Sequence, residues 1–236
     1  MPTTHFRNGV SNQIPGNPLF EYPYLDPFKY YSYVNDFFTY HADEWTITTT
    51  EGGSGNASEA LTSQAGGALL ITNDDADDDN DFFNLKGESF KYVAGKNMFF
   101  KAKFKVSDAT QSDFVMGLQI TDTSPLDVTD GIFFQKDDGD ANLDFHIEKD
   151  NTATDNTAIA TISDDTFVDV AFHYDPNANS GNGAVRIFVD EALVAEQTTL
   201  TNIPDNEELT VSFGIQNGAA AAKTMTVDYV FAAVER

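Results

Sequence analysis

The chain has 236 residues, no cysteine, and 38 acidic against 13 basic residues, which gives a formal net charge of -25. The lack of cysteine excludes disulfide bonds, thiolate chemistry and cysteine-ligated metal sites, and the charge opposes binding to nucleic acid or to an anionic membrane. The sequence has no basic start followed by an apolar run and no stretch near the ~18 apolar residues of a membrane span, so it predicts a soluble protein made in a cytoplasm.

The first segment, residues 1–40, differs in composition from the rest. It holds five of the eight prolines, which forbid long regular elements, together with eleven aromatic residues. We therefore predict an irregular N-terminal arm whose aromatic side chains need a surface to cover them. That surface is either the arm's own sandwich, where the arm would close an edge strand, or a neighbouring subunit. The candidate interface residues are Phe6, Arg7, Phe20, Tyr22, Tyr24 and Phe28.

The most acidic stretch is 73–81, which has carboxylates of the kind that Ca²⁺ binds. Aligned from Asp75 on the helix-loop-helix calcium motif, its glycine position is Asn80 and its closing glutamate position is Lys86, so that motif fails. The composition favours a solvated acidic turn, with a calcium site as the alternative.

A clear β-strand pattern lies at 97–107, where apolar residues alternate with Lys101, Lys103 and Lys105. Such a strand has one apolar face that a second sheet must cover. Similar strand-length segments follow to the end, and no helix longer than a turn or two is expected. We predict an all-β antiparallel sandwich over 41–236. The expected core includes Met98, Phe100, Phe104, Phe114, Met116, Leu118, Val170, Phe172, Val211, Phe213, Val227 and Tyr229.

One polar strand face could carry chemistry, and it is made of Asp144, His146, Glu148 and Asp150, which alternate with Leu143, Phe145 and Ile147. The outer face of any amphipathic strand is polar, so a solvated face is the favoured interpretation. The alternative is a glycan-binding or catalytic site. Residues two apart on a strand are separated by ~6.6 Å, so only adjacent members approach the ~5–5.5 Å of a retaining glycosidase pair.

Catalytic motifs are otherwise missing from the sequence. Sandwich glucanases related to laminarinase carry a Glu-x-Asp-x-(x)-Glu strand motif; Glu148-Lys149-Asp150 begins like it, but no second glutamate follows. The four histidines lack ligand spacing, and neither a nucleophile elbow nor a phosphate-binding loop occurs. We expect a protein that is not an enzyme and that needs no organic cofactor.

The C-terminal strands carry a resemblance to a known fold. Residues 211–217 and 223–230 resemble the last two strands of a concanavalin A-like (laminin G-like) jelly-roll sandwich, and 187–194 resembles the hairpin before them, with Glu191 at the usual glycine position. This resemblance implies a concanavalin A-like jelly roll.

A wider resemblance involves the opening 5–10 and the block 107–144, including Gln119-Ile120-Thr121-Asp122-Thr123-Ser124-Pro125. These segments are similar to sandwich proteins encoded among the virion genes of marine tailed bacteriophages. The resemblance implies a particle component, such as a capsid decoration (cement) protein on the phage head surface, assembled in the host cytoplasm. Its implied partners are the major capsid protein and copies of itself, with glycans as a further alternative.

Overall fold

The structure is a computed structural model that describes residues 29–236 and contains two antiparallel sheets. The eight-stranded sheet has the order β13-β12-β11-β6-β15-β4-β3, with β1 also paired to β15, and the seven-stranded sheet has the order β10-β9-β8-β7-β14-β5-β2. The strands are β1 (Tyr30–Asn35), β2 (Trp45–Thr50), β3 (Ser58–Leu61), β4 (Leu69–Thr72), β5 (Asn80–Leu85), β6 (Met98–Val106), β7 (Ser112–Gln119), β8 (Gly131–Lys136), β9 (Asn142–Lys149), β10 (Thr152–Thr161), β11 (Val168–Asp175), β12 (Ala184–Val189), β13 (Ala192–Gln197), β14 (Thr210–Asn217) and β15 (Thr224–Glu235).

Helical structure in this part of the chain is limited to a 3-10 turn at Ala42–Glu44 and a single turn, α1, at Ala178–Gly181. Neither could span a membrane. The all-β antiparallel sandwich predicted from the sequence is therefore confirmed.

Strand β6 lies in the middle of the eight-stranded sheet, as its alternating pattern predicts. Met98, Phe100, Ala102, Phe104 and Val106 are all buried, whereas the three lysines between them face outward. The buried face of β6 packs on the opposite sheet, where the Phe104 ring meets the Phe114 ring at 5.0 Å. Burial of these large side chains is the main stabilising term of the sandwich.

The prediction for the last strand is wrong in its second half. A register shift in the pairing of β15 with β6 lies between Val227 and Tyr229, and it moves the following side chains to the other face of the strand. Val230, Ala232 and Val234 enter the core, whereas Tyr229, which was predicted to be buried there, does not. The half-buried Tyr229 hydroxyl donates to Oδ2 of Asp169 at 2.5 Å on the outer face.

The acidic stretch 73–81 is also corrected, because it is not a uniformly solvated turn. Asn73, Asp79 and Asp81 are at most 1% exposed, whereas Asp75 and Asp77 are exposed as expected. Asp81 lies in β5, an unpredicted strand that pairs with both β2 and β14. The composition identified the loop, but the fold buries Asp79 and Asp81 in its second half.

Strand β1 falls within the segment predicted as an arm. Tyr30–Asn35 pairs with residues 230–235 of β15, on the edge that β4 occupies at residues 224–227. The candidate interface residues of the arm, which are Phe6, Arg7, Phe20, Tyr22, Tyr24 and Phe28, lie outside the described residues.

Candidate functional site

The predicted polar face of β9 lies on the outer side of the seven-stranded sheet. Leu143, Phe145 and Ile147 are fully buried, so Asp144, His146 and Glu148 point away from the core. Asp150 does not share this face, because β9 ends at Lys149 and Asp150 lies in the turn to β10 with a positive φ of 49°. The alternation in the sequence extended past the real end of the strand.

His146 is held on both sides by neighbouring strands. Its ring stacks on Phe133 of β8 at 5.3 Å, with 20° between the planes, and its Nδ1 lies 2.8 Å from Oδ1 of Asp155 on β10. This arrangement orients the imidazole but leaves one nitrogen, Nε2, for another partner.

The two β9 carboxylates have separate surroundings. Oδ1 of Asp144 accepts the Ala158 N–H at 2.6 Å. Burial, together with the charges of Asp155, Asp127 and Asp130, raises the pKa of Glu148, while nearby His146 opposes this shift. Four residues on a strand span about 13 Å, whereas paired glycosidase carboxyl groups lie about 5–9.5 Å apart. Asp144 and Glu148 therefore do not form such a pair along the strand.

The centre of this outer face is covered by the β7–β8 loop, residues 120–130. Phe82, Val115 and Phe133 project outward from the sheet and form a second apolar cluster with Val128 of the loop. All four side chains are at most 2% exposed. Since the loop occupies the middle of the sheet, a ligand can reach this face at two places, one beside Thr50, Asn80 and Gln216 and the other on the flank at β9 and β10.

An acidic cleft of about 200 Å³ lies on that flank. It is lined by Asp137, Asp138, Asp140, Asn142, Asp144, Thr157 and Ala158. Carboxylates accept hydrogen bonds from hydroxyl groups, so the cleft can bind a hydroxyl-rich or cationic ligand. Sequence reasoning identified only Asp144 among these residues. The three other aspartates come from the β8–β9 turn, and the remaining residues come from β9 and from the register shift of β10.

A separate carboxylate cluster lies at one end of the sandwich. Glu51 follows β2, Asp74 follows β4, and Asp79 precedes β5; each offers a ligand oxygen, and these oxygens lie within 4.8 Å of one another. Asp81 lies nearby with Glu59 of β3, and burial together with the charges of Glu59 and Glu51 raises the pKa of Asp81 to about 7. Several acidic groups are thus held close together at this end.

The pKa of Asp81 leads to a testable pH dependence. Its folded-state pKa lies above the ordinary carboxyl value, so folding favours the protonated form, and stability is lost as the pH rises from about 4 to about 7. In buffer with a chelator, Asp81→Asn should exceed the wild type in unfolding free energy by about 1–3 kcal/mol at pH 8 and should lose this advantage below about pH 4. Thr49, which donates to Oδ1 of Asp81 at 2.6 Å, can still donate to asparagine.

Urea unfolding across this pH range measures the effect. Asp77→Asn, at an exposed position of the neighbouring loop, is the matched control and should follow the wild-type curve. An Asp81→Asn advantage that is absent at pH 8, or that persists at low pH, would contradict this assignment.

The outer face of the eight-stranded sheet carries an aromatic patch, made of Phe99, His173, Phe188 and Phe231 around a depression of about 310 Å³. The His173 ring stacks on Phe99 at 4.3 Å, and its Nε2 lies 3.0 Å from Oδ1 of Asn97. Burial lowers the pKa of His173, so the ring is neutral at neutral pH. The patch therefore presents an apolar surface on a strongly acidic protein.

The aromatic patch lies where the described chain begins. The Tyr30 ring, in the first residue of β1, is 6.2 Å from the Phe99 ring. The first strand of the described chain thus begins directly beside the patch. Sequence reasoning missed the patch because each of four strands contributes one residue to it. None of these strands has an unusual sequence by itself.

No family model matches the chain, and no curated protein sequence matches it significantly. Several solved structures share its fold. A protein of unknown function from Shewanella oneidensis MR-1 has a TM-score of 0.61 and 15% identity, covering 96% of this chain and 96% of its own. The endo-1,3-β-glucanase of Streptomyces sioyaensis has a TM-score of 0.59 and 13% identity, covering 88% and 97%.

The carbohydrate recognition domain of Emp46p, in its potassium-bound form, is also similar, with a TM-score of 0.55 and 9% identity over 84% of this chain and 94% of its own. At these identities the similarity shows the fold alone. The chain is a concanavalin A-like jelly-roll sandwich, the fold class of these glycosidase-like and carbohydrate-binding proteins.

Proposed function

We propose that this jelly roll is a non-enzymatic structural protein of a tailed-bacteriophage virion, a capsid decoration (cement) protein on the head surface. It would bind the major capsid protein and copies of itself through residues 1–28, because Tyr30–Asn35 pairs with β15 and Phe37 is buried in the sandwich. The observation that carries the proposal is the aromatic patch beside Tyr30, at the start of β1. Aromatic side chains are favoured anchors of protein interfaces.

Two further features support this proposal. The resemblance of 5–10 and 107–144 to virion-encoded sandwich proteins is the sequence argument for a particle component. The charge of -25 keeps a displayed domain soluble and discourages contact with packaged nucleic acid.

The proposal predicts that shortening the arm abolishes binding to the particle but leaves the sandwich folded. Deletion of residues 2–18 should leave a folded sandwich that no longer sediments with particles lacking this protein. Phe99→Ala should weaken that binding about 10- to 100-fold, the effect of losing an interface anchor of about 1–3 kcal/mol.

Phe38→Ala is the matched control, because Phe38 is 72% exposed and lies outside the patch. It should bind as the wild type does. Unchanged particle binding by both the deletion and Phe99→Ala would refute attachment through the arm and patch. A large loss of thermal stability in the deletion variant would indicate that the arm packs on its own sheet.

A carbohydrate-binding module is the second candidate, and a glycosidase-like enzyme is a weaker one. The acidic cleft beside Asp144 favours glycan binding, together with a fold shared with a carbohydrate recognition domain. The full chain should then bind a defined glycan on a glycan array, and the Asp144→Asn variant should not bind it. Absence of binding to any glycan would reject this candidate, and release of sugar lost in Glu148→Gln would favour the enzyme.

A further inference from the structure

We propose that the carboxylate cluster of Glu51, Asp74 and Asp79 binds one divalent cation of the size of Ca²⁺. The ligand oxygens of the three residues lie within 4.8 Å of one another. Opposite ligands around Ca²⁺ are about 4.6–5.2 Å apart, since each bond is about 2.3–2.6 Å. One ion can therefore contact all three carboxylates without rearrangement of the loops.

The loops already orient these carboxylates. The Gly55 N–H donates to Oδ2 of Asp74 at 2.8 Å, and the Ala76 N–H donates to Oδ2 of Asp79 at 2.9 Å. These amides carry no formal charge, so they fix geometry without neutralising the cluster. None of the ion pairs found within residues 29–236 involves Glu51, Asp74 or Asp79.

Buried oxygens without a donor are an independent indication of a ligand. Asn73 is 1% exposed, and its Oδ1 has no hydrogen-bond partner. Its Nδ2 donates to the Asp79 carbonyl at 2.9 Å, which holds the amide group against the loop between Asp74 and Asp79. Oε2 of Glu51 is likewise buried and unpartnered. Buried acceptors are normally satisfied, so both oxygens lack a donor that this end of the sandwich would be expected to supply, and Oε2 of Glu51 belongs to the carboxylate cluster itself.

The ligand types favour calcium over smaller ions. Ca²⁺ takes 6–8 oxygen ligands in flexible geometry, whereas Mg²⁺ demands a near-ideal octahedron of shorter bonds. Three carboxylates, each able to bind through one or two oxygens, and water can supply such a set. The site differs from the helix-loop-helix motif rejected from the sequence, because Glu51 comes from a distant loop.

The proposed ion would connect the two sheets. Asp74 follows β4 of the eight-stranded sheet, whereas Glu51 and Asp79 flank β2 and β5 of the seven-stranded sheet. Binding at this position would hold one end of the sandwich closed and would stabilise the folded state by mass action. It does not depend on the proposed attachment to a phage head.

Calcium titration of the chelator-treated full chain tests this site. Calorimetry should show one saturable site, and Ca²⁺ at about 100 times its dissociation constant should raise the melting temperature by about 5–10 °C. An equal concentration of Mg²⁺ controls for screening of the net charge and should give a smaller increase. Glu51→Gln should remove the calorimetric site and most of the calcium-specific increase.

Asp77→Asn removes the same charge from an exposed position of the same loop and should retain full calcium binding. Glu51→Gln keeps an oxygen that can accept the Ala57 N–H, so the variant should remain folded. Failure of the wild type to bind Ca²⁺ at a single site would overturn the proposal. Equal calcium responses in Glu51→Gln and Asp77→Asn would also overturn it.

Discussion

Phe213→Ala is expected to lower the free energy of unfolding by about 3–5 kcal/mol, the range for truncating a fully buried phenylalanine. Phe213 is 0% exposed, and its ring stacks on Phe83 at 5.1 Å and meets Trp45 edge-on at 5.1 Å. Phe37 approaches it edge-on at 6.1 Å. The substitution therefore leaves a cavity among three aromatic rings, and these rings are packed too closely with one another to move in and fill it.

Chemical denaturation measures this loss, with Phe38→Ala as the control of identical chemistry. Phe38 is 72% exposed, so its truncation should change the unfolding free energy by no more than about 0.5 kcal/mol. If Phe213→Ala cost less than about 1 kcal/mol, the aromatic cluster would not be part of a close-packed core.

Gly67→Ala is expected to lower the free energy of unfolding by about 2–4 kcal/mol. Two effects add: the strain of a side chain at positive φ, and the steric clash of the new Cβ with neighbouring backbone. Gly67 has a φ of +86°, and a Cβ there would lie 2.5 Å from the carbonyl oxygen of Phe37 and 2.8 Å from that of Asp36. Both contacts are with backbone, which cannot rotate away. The added methyl group would therefore separate the β3–β4 turn from the segment after β1.

Gly95→Ala measures the strain at positive φ without the steric clash. Gly95 has nearly the same φ, +85°, but nothing lies within 4 Å of its added Cβ. Its substitution should cost only about 1–2 kcal/mol. Equal melting temperatures for the two variants would show that the contact of Gly67 with the Asp36–Phe37 backbone is not maintained in solution.

The fold was most predictable for strands that have one solvent-exposed face and one buried face. The lysines of β6 and the polar residues of β9 mark such strands, and their buried partners were predicted correctly. Strand β5 escaped prediction because both of its faces are covered, with Phe83 in the main core and Phe82 under the β7–β8 loop. Burial on both faces weakens the alternating signal, although β7, which is also buried throughout, was still predicted from Phe114, Met116 and Leu118.

The candidate sites were harder to predict because they join distant segments. The alternation on β9 located Asp144, His146 and Glu148, but it could not indicate that Asp155 would hold the histidine. The acidic stretch 73–81 suggested calcium by composition, yet its partner Glu51 is contributed by a loop that only the sheet pairing brings close. Composition can identify a ligand type, whereas the set of ligands depends on topology.

The most direct test of the proposed role is the protein composition of purified tailed-phage particles from the source whose genome encodes this chain. Mass spectrometry of the purified virions should detect the chain in a fixed ratio to the major capsid protein, and particle imaging should place its sandwich on the head surface. Absence of the chain from washed, infectious particles would contradict the account.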